Sequence, residues 1–246
     1  MPTEKSESQY LAEYDVHRYE TPLTTVDIVI FTIKDSRLCV LLVKRSQHPF
    51  QGMWALPGGF IDIHHDQTLV ETAKRKLLEK TGVATPYLEQ LESYGSAGRD
   101  PRGWSVTVVY LALLPWETIA SNQSSPTEEV QWLPIDEREQ CQNLAFDHAH
   151  ILDASVRRLQ GRVFYTSLPI NLLPAEFTLS ELQKVYELIL GKTLEKKSFR
   201  RRILDADILA ETGNLKTGGA RPAKRYQAKP AGEKHIFPRV LEGTRN

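Results

Sequence analysis

Cysteine is almost missing from this chain of 246 residues, which has only Cys39 and Cys141. Two thiols are too few for a disulfide framework, and their spacing matches no metal-binding motif. Both are expected to be small apolar fillers in a reducing compartment. Also lacking is an apolar run long enough to cross a bilayer, which takes about 20 residues. Met1 to Tyr10 are polar and mixed in charge, so no basic-then-apolar leader is read there. There is no internal repeat and no low-complexity tract. What is left is expected to be a cytoplasmic globular protein, and 41% hydrophobic with 25% charged residues is ordinary for one. The length fits one large domain or two modest ones.

Net charge is absent as well, since 31 Lys/Arg balance 31 Asp/Glu. The balance hides an asymmetry. From Gly191 onward 14 Lys/Arg face 6 Asp/Glu, which leaves 17 against 25 in the residues before it. An acidic body with a basic C-terminal part points toward nucleic acid, although composition alone fits a solvated basic face equally well.

The pattern along the chain is α/β. Thr25 to Ile33 and Leu38 to Val43 are β-branched and apolar, with Asp35-Ser36 between them, and read as a hairpin or a pair of core strands. Ser105 to Leu114 is another strong strand, and Val130 to Leu133 a short one before Pro134. Asp66 to Lys80 has helical spacing at Leu69, Val70, Ala73, Leu77 and Leu78, with Gly82 as its stop. His148 to Leu159 reads as a helix stopped at Gly161. A second unit begins near Leu172. There Thr178 and Glu181 form a capping signature before Leu182, Val185, Tyr186, Ile189 and Leu190, with Gly191 closing the helix. Glu195 to Leu204 is a second, basic helix, and Gly213 to Tyr226, with Gly218-Gly219, is a basic hairpin. Helix, turn, basic helix and hairpin make a winged helix-turn-helix. The expected division is therefore a ligand-binding domain over 1–161, a linker or hinge over 162–174 (with Pro169 and Pro174), and a DNA-binding domain over 175–246.

Trp54 to Val83 carries the chemistry. It reads W-A-L-P-G-G-F-I-D, then R-K-L-L-E-K in the helix, then T-G-V. This resembles the Nudix box, a Gly-led loop followed by a helix whose clustered glutamates hold Mg²⁺ or Mn²⁺ against a diphosphate. Arg75, Leu77, Glu79 and Val83 match the motif. Lys76 and Lys80 stand where two of its glutamates belong, the glutamate expected earlier falls at Gln67, and the loop after Gly59 is longer than the usual pattern. Ammonium groups in place of carboxylates turn a cation site into a candidate anion site. The resemblance with these departures implies a Nudix α/β/α sandwich that binds a nucleotide without cutting it, with no catalytic residue and no metal. A solvated helix face is the bland alternative for both lysines.

Gly98 to Gly103 (G-R-D-P-R-G), followed by Trp104, resembles the corresponding stretch of ADP-ribose pyrophosphatases. Arg99 and Arg102 suit a bidentate grip on phosphate, and Asp100 with Pro101 shapes the turn. In Leu144 to His148, Asp147 is a candidate N-cap, while Phe146 and His148 are weaker candidates for stacking on and bonding a base. With Arg45, Gly58, Gly59 and Phe60, these residues and Arg75, Lys76, Glu79 and Lys80 complete the expected ligand-binding set.

For DNA, Lys196, Lys197, Ser198, Arg200 and Arg201 are the candidates on the second helix, with Lys197, Arg200 and Arg201 on one side and Lys196 beside them. Arg202 is expected to turn toward the acidic body instead. Arg221, Lys224 and Arg225 are the wing candidates.

A Nudix-like domain with an altered box followed by a winged helix resembles the Nudix-related transcriptional regulators of NAD metabolism, the NrtR type. The resemblance implies a homodimeric repressor of NAD-biosynthesis genes, bound to double-stranded operator DNA and released by ADP-ribose or a related nucleotide as effector. Regulators of this architecture also govern sugar use. The rival reading is a Mg²⁺-dependent ADP-ribose pyrophosphohydrolase in which Asp62, Asp66 and Glu79 rebuild a metal site.

Overall fold

A computed structural model describes residues 5–84, 87–121, 129–137, 143–217 and 222–241. The β-branched run forms one long strand, β1 (Leu23–Lys34), that turns into β2 (Arg37–Lys44) through Asp35 and Ser36. Both turn residues have positive φ, 49° and 58°, which is the backbone a two-residue hairpin needs. β2 pairs with β3 (Trp54–Ala55) and β7 (Val130–Pro134), and β4 (Gly58–Phe60) folds back on β1. On its other side β1 runs parallel to β6 (Ser105–Leu113), which pairs with β5 (Tyr87–Ser96). The seven strands form one mixed sheet along the path β3-β2-β1-β6-β5.

β1 is buried at every position from Val26 to Thr32 because both faces of the sheet are covered. Val26, Ile28 and Ile30 pack with Ala73 and Leu77 of α2 (Leu69–Thr81). Val29 and Phe31 pack on the opposite face with Ile151, Leu152, Val156 and Leu159 of α4 (His148–Val163). That is an α/β/α sandwich. The period of two along the strand also puts Asp27, an acid within this apolar run, on the α4 face.

Two helix bounds differ from the sequence reading. α2 begins at Leu69, because Thr68 and Glu71 close a capping box there and leave Asp66 outside the helix. Gly82 ends it in the left-handed conformation, φ 67°. α4 runs through Gly161 to Val163. Leu159 and Val163 are fully buried, and keeping that face in the core outweighs the roughly 1 kcal/mol cost of a glycine inside a helix. Absent from the sequence reading were β5, α1 (Glu7–Glu13) and α3 (Trp116–Ala120). α1 buries no residue, and Tyr10, Leu11, Tyr14, Val16 and Tyr19 are exposed.

The C-terminal unit consists of α5 (Leu179–Leu190), α6 (Lys196–Asp205) and a hairpin of β8 (Leu209–Lys216) with β9 (Ala223–Ala228). Thr178 and Glu181 form the capping box of α5, and Gly191 ends it at φ 66°. Glu195 caps α6 by accepting the N–H groups of Lys197 and Ser198 at 2.9 and 2.6 Å. The two helices meet through Tyr186 and Phe199, edge to face at 5.1 Å and both fully buried. Each such side chain contributes about 1.5–3 kcal/mol by leaving water. The 162–174 segment is packed rather than extended. Leu168–Leu172 forms a 3₁₀ turn, buried throughout, and one apolar core runs from β1 through this turn to Phe199 and Leu241. Cys39 is buried in β2, while Cys141, Gly218, Gly219 and Arg221 lie outside the described residues. Among the described residues no helix is long and apolar enough to cross a membrane.

Candidate functional site

A cleft of about 330 Å³ opens where β4, α2, the Gly98–Gly103 turn and the start of α4 converge. That lies within the roughly 300–1,000 Å³ of small-molecule sites. Its walls bring together Arg45, Gly58, Gly59, Phe60, Lys76, Lys80, Arg99, Asp100, Arg102, Phe146 and His148, all of them in the expected set. Among these and the other lining residues, five cationic side chains face two carboxylates, Asp27 and Asp100, which suits an anionic ligand.

The back wall is a buried polar cluster centred on Asp27. Leu56 N–H donates to His148 Nδ1 at 2.9 Å, and Nε2 of the ring faces Asp27 Oδ2 at 3.6 Å. Arg99 Nη2 lies 3.6 Å from the same oxygen and donates at 2.9 Å to Asp147, whose second oxygen accepts from Arg99 Nε at 3.0 Å. Burial pushes the Asp27 carboxyl up, but His148, Thr107 and Arg99 together outweigh it and hold the group below the ordinary carboxylate range. Asp27 and Asp147 did not emerge from the sequence as site residues. Asp147 precedes α4 as expected, but makes no side-chain cap, because Arg99 takes both of its oxygens.

The glycines are fixed by what lies against them. Gly58 pairs with Asp27 across the strands, and a Cβ there would stand 2.2 Å from Asp27 Oδ1. A Cβ on Gly59 would meet Lys76 Cε at 3.1 Å, so Lys76 lies across that glycine. On the facing wall Phe146 is held at φ 57°, a conformation costly for a bulky residue. Phe50 meets its edge at 4.8 Å, and the Arg45 guanidinium lies 4.7 Å from its ring centroid. Arg102 is held bidentately by Asp100 at 2.8 and 3.0 Å and lies 5.1 Å from the Phe60 ring. Its bond to Asp100 keeps that carboxyl below its ordinary range.

Three expected ligand residues lie outside the lining. Arg75 grips buried Asp66 at 2.9 and 2.5 Å and donates to Glu79 at 3.0 Å, opening on the neighbouring groove of loop 59–64. Its hydrogen bonds hold the Asp66 carboxyl far below the usual range. Glu79 also accepts from Lys76 Nζ at 2.9 Å. Burial raises Glu79, but Lys76 and Arg75 overcome it and bring the carboxyl down. Trp104 is half exposed and covers Gly95 of β5.

This donor set does not fit a divalent metal. Glu79 sits between two cations, Asp66 is consumed by Arg75, and Asp62 accepts from the His64 N–H and bonds the His65 ring. Among the described residues no three His, Cys, Asp or Glu side chains gather as metal ligands.

The second candidate surface is α6. Phe199 and Ile203 face the core, so Lys197 and Arg201 point most directly outward, with Lys196 also exposed. Arg200 is half-buried and donates to Ser180 Oγ at 3.1 Å. Ser198 lies on the flank toward residues 235–241. Arg202 does turn to the acidic N-terminal body, but it meets a backbone carbonyl there rather than a carboxylate. It donates to the Phe164 carbonyl at 3.2 Å and lies 4.1 Å from the Phe237 ring centroid, because α6 packs that flank against the C-terminal segment. On the wing Lys224 is paired with Glu211 at 3.0 Å, and half-buried Arg225 donates to the Glu176 carbonyl at 3.4 Å. Arg221 lies outside the described residues.

Comparison with known proteins covers both units. The Nudix domain model matches residues 21–154, and the model for the NrtR DNA-binding winged helix domain matches residues 169–228. The chain is 46% identical over 241 residues to the ADPR responsive transcriptional repressor NtrR of Acinetobacter baylyi, covering 98% of this chain and 96% of that one. It is similar to the crystal structure of Shewanella oneidensis NrtR complexed with a 27mer DNA, with a TM-score of 0.82 and 47% identity, over 89% of this chain and 100% of that one. The Nudix domain of the Shewanella protein complexed with ADP ribose matches with a TM-score of 0.57 and 47% identity, over 63% of this chain and 99% of that one. With a Nudix domain, an NrtR-type winged helix and a relative 46% identical over nearly its whole length, the chain belongs to the NrtR-type family of Nudix-related transcriptional regulators.

Proposed function

We propose that this protein is a cytoplasmic repressor of NAD-biosynthesis genes. It binds operator DNA as a dimer through α6 and the wing, and lets go when ADP-ribose fills the cleft. Residues 1–161 hold the ligand, 175–246 hold the DNA, and the packed 162–174 segment joins them. The observation that carries the reading is the cleft wall, where Lys76 and Lys80 stand in the places of two metal-binding glutamates. With Arg45, Arg99 and Arg102 nearby, the wall suits a diphosphate directly. The exposed apolar side chains of α1 and the residues after it favour association, since an isolated helix of this length is not stable alone. The likeness to a repressor named for its response to ADPR and to a structure holding ADP ribose supports the choice of effector.

Release needs only a difference in ligand affinity between the DNA-competent arrangement and another one. About 1.4 kcal/mol shifts DNA affinity about tenfold. The same cleft does not hydrolyse ADP-ribose, because Glu79, the one glutamate left at the metal-binding positions of the box, is already neutralised by Arg75 and Lys76. Two assays test this. Calorimetry in EDTA is expected to show ADP-ribose binding without metal, and incubation with Mg²⁺ is expected to release no AMP and ribose phosphate above background. Rapid turnover that Glu79→Gln abolishes would instead make the protein an ADP-ribose pyrophosphohydrolase.

A further inference from the structure

Behind the recognition helix, on the side away from Lys197, lies a groove of about 830 Å³ between α6 and residues 235–241. Leu194, Phe199, Phe237 and Leu241 contribute apolar walls. Two polar side chains there are incompletely satisfied. Among the described residues the Arg202 guanidinium has one carbonyl, that of Phe164, and the Phe237 ring, but no carboxylate within 4 Å, and its buried Nε has no acceptor. Among the same residues the buried Nε2 of His235 has no hydrogen-bond partner. A cation drawn out of water without a counter-ion is costly, and the desolvation shows in a lowered Arg202 pKa. Of the two acids on the groove, Glu195 is spent capping α6, and Asp205 is exposed one turn away.

We propose that this groove is a second ligand site, for a small oxyanion (a carboxylate or a phosphate) carried on a flat apolar body. The oxyanion pairs with Arg202, aided by His235, and the body lies along the apolar walls. The site is separate from the ADP-ribose cleft and does not rest on that assignment. A DNA phosphate is not the favoured occupant, because Arg202 lies half-buried between α6 and Phe237, although Arg201 reaches the rim of the same groove from the exposed face.

The test is a titration of the full chain with benzoate and with inorganic phosphate, following arginine side-chain Nε–H signals by NMR. The Arg202 signal is assigned through its own backbone and checked as the one missing in Arg202→Gln. A saturable shift of that signal is expected with both probes. Benzoate should bind about tenfold tighter, as its ring leaves water. Val240→Trp fills the groove from an exposed position and should weaken both at least tenfold while the fold's signals stay in place. No saturable shift, or the same affinity in Val240→Trp, would overturn the site. A shift produced by duplex DNA but by neither probe would reassign Arg202 to the DNA surface and overturn it as well. Equal affinity for the two probes would overturn the apolar body.

Discussion

The cations of the cleft and those of the recognition helix share a charge and little else. In the cleft Arg99 is buried and held by Asp147 and Asp27, Arg102 by Asp100, and Lys76 by Glu79. On α6, Lys196, Lys197 and Arg201 are exposed, and none has a carboxylate within 4 Å among the described residues. Side chains held in one place by carboxylates lose little freedom when a ligand arrives, which favours recognition of one shape. Unpaired, solvated side chains suit a polyanion, whose attraction is long-ranged, tolerant of geometry and sensitive to salt. The difference separates a pocket that selects from a surface that adheres.

The comparison breaks most visibly at the helix. Lys197→Glu with Arg201→Glu removes four cations from a dimer and is expected to lower DNA affinity about a thousandfold and to flatten the salt slope by about 4, with ADP-ribose binding unchanged. Fluorescence anisotropy over a salt series reads both, and a loss under about threefold would place the DNA face elsewhere.

In the cleft the largest effect falls on stability. Asp27→Asn removes the buried carboxylate facing His148 and Arg99, leaves Arg99 only one carboxylate, that of Asp147, and should cost about 3 kcal/mol at pH 7 in urea unfolding. Because the folded Asp27 pKa is depressed, its contribution is complete above the unfolded value of about 4 and is lost as pH falls through the lower folded value. The gap between wild type and variant should therefore stay constant from neutral pH down to about 5 and narrow only below about 4. A gap that widened on acidification would contradict the sign.

Gly58→Ala drives a methyl into the same carboxylate and should cost about 2 kcal/mol, with ADP-ribose binding weakened alongside. Retention of full stability and full binding would show that β4 yields. The smallest change is expected at Lys224, whose pair with Glu211 is exposed on both sides. Lys224→Ala should alter DNA affinity less than about threefold in the same anisotropy assay.

Much of this was legible in the sequence, for local reasons. Thr68-x-x-Glu71 and Thr178-x-x-Glu181 cap their helices within four residues, and Gly82 and Gly191 end them, although only the second capping box was read in advance. Lys76 and Lys80, one turn apart, flank the face of α2 that buries Ala73 and Leu77, so their placement together followed from register. What escaped was set by distance along the chain. Arg99 and Asp147 are 48 residues apart, and nothing local marks the pair. Asp27 did leave a signal, an acid between Val26 and Ile28 in a strand buried on both faces, where a carboxylate needs partners. β5 was missed because its polar residues sit on an exposed edge, so it lacks the apolar run that marked β1 and β6. Arg202 was expected to turn toward the acidic body, and it does so through the Phe164 carbonyl. The C-terminal segment that covers it carries Phe237.

The most direct measurement is a gel-shift titration at fixed salt, using DNA from upstream of the protein's own gene and its neighbours, with and without ADP-ribose. The account predicts tight, specific binding that ADP-ribose releases in wild type but not in a Lys76→Ala, Lys80→Ala variant, whose cleft has lost two of its five cations. Specific binding indifferent to ADP-ribose, or no specific binding to any of these DNAs, would contradict it.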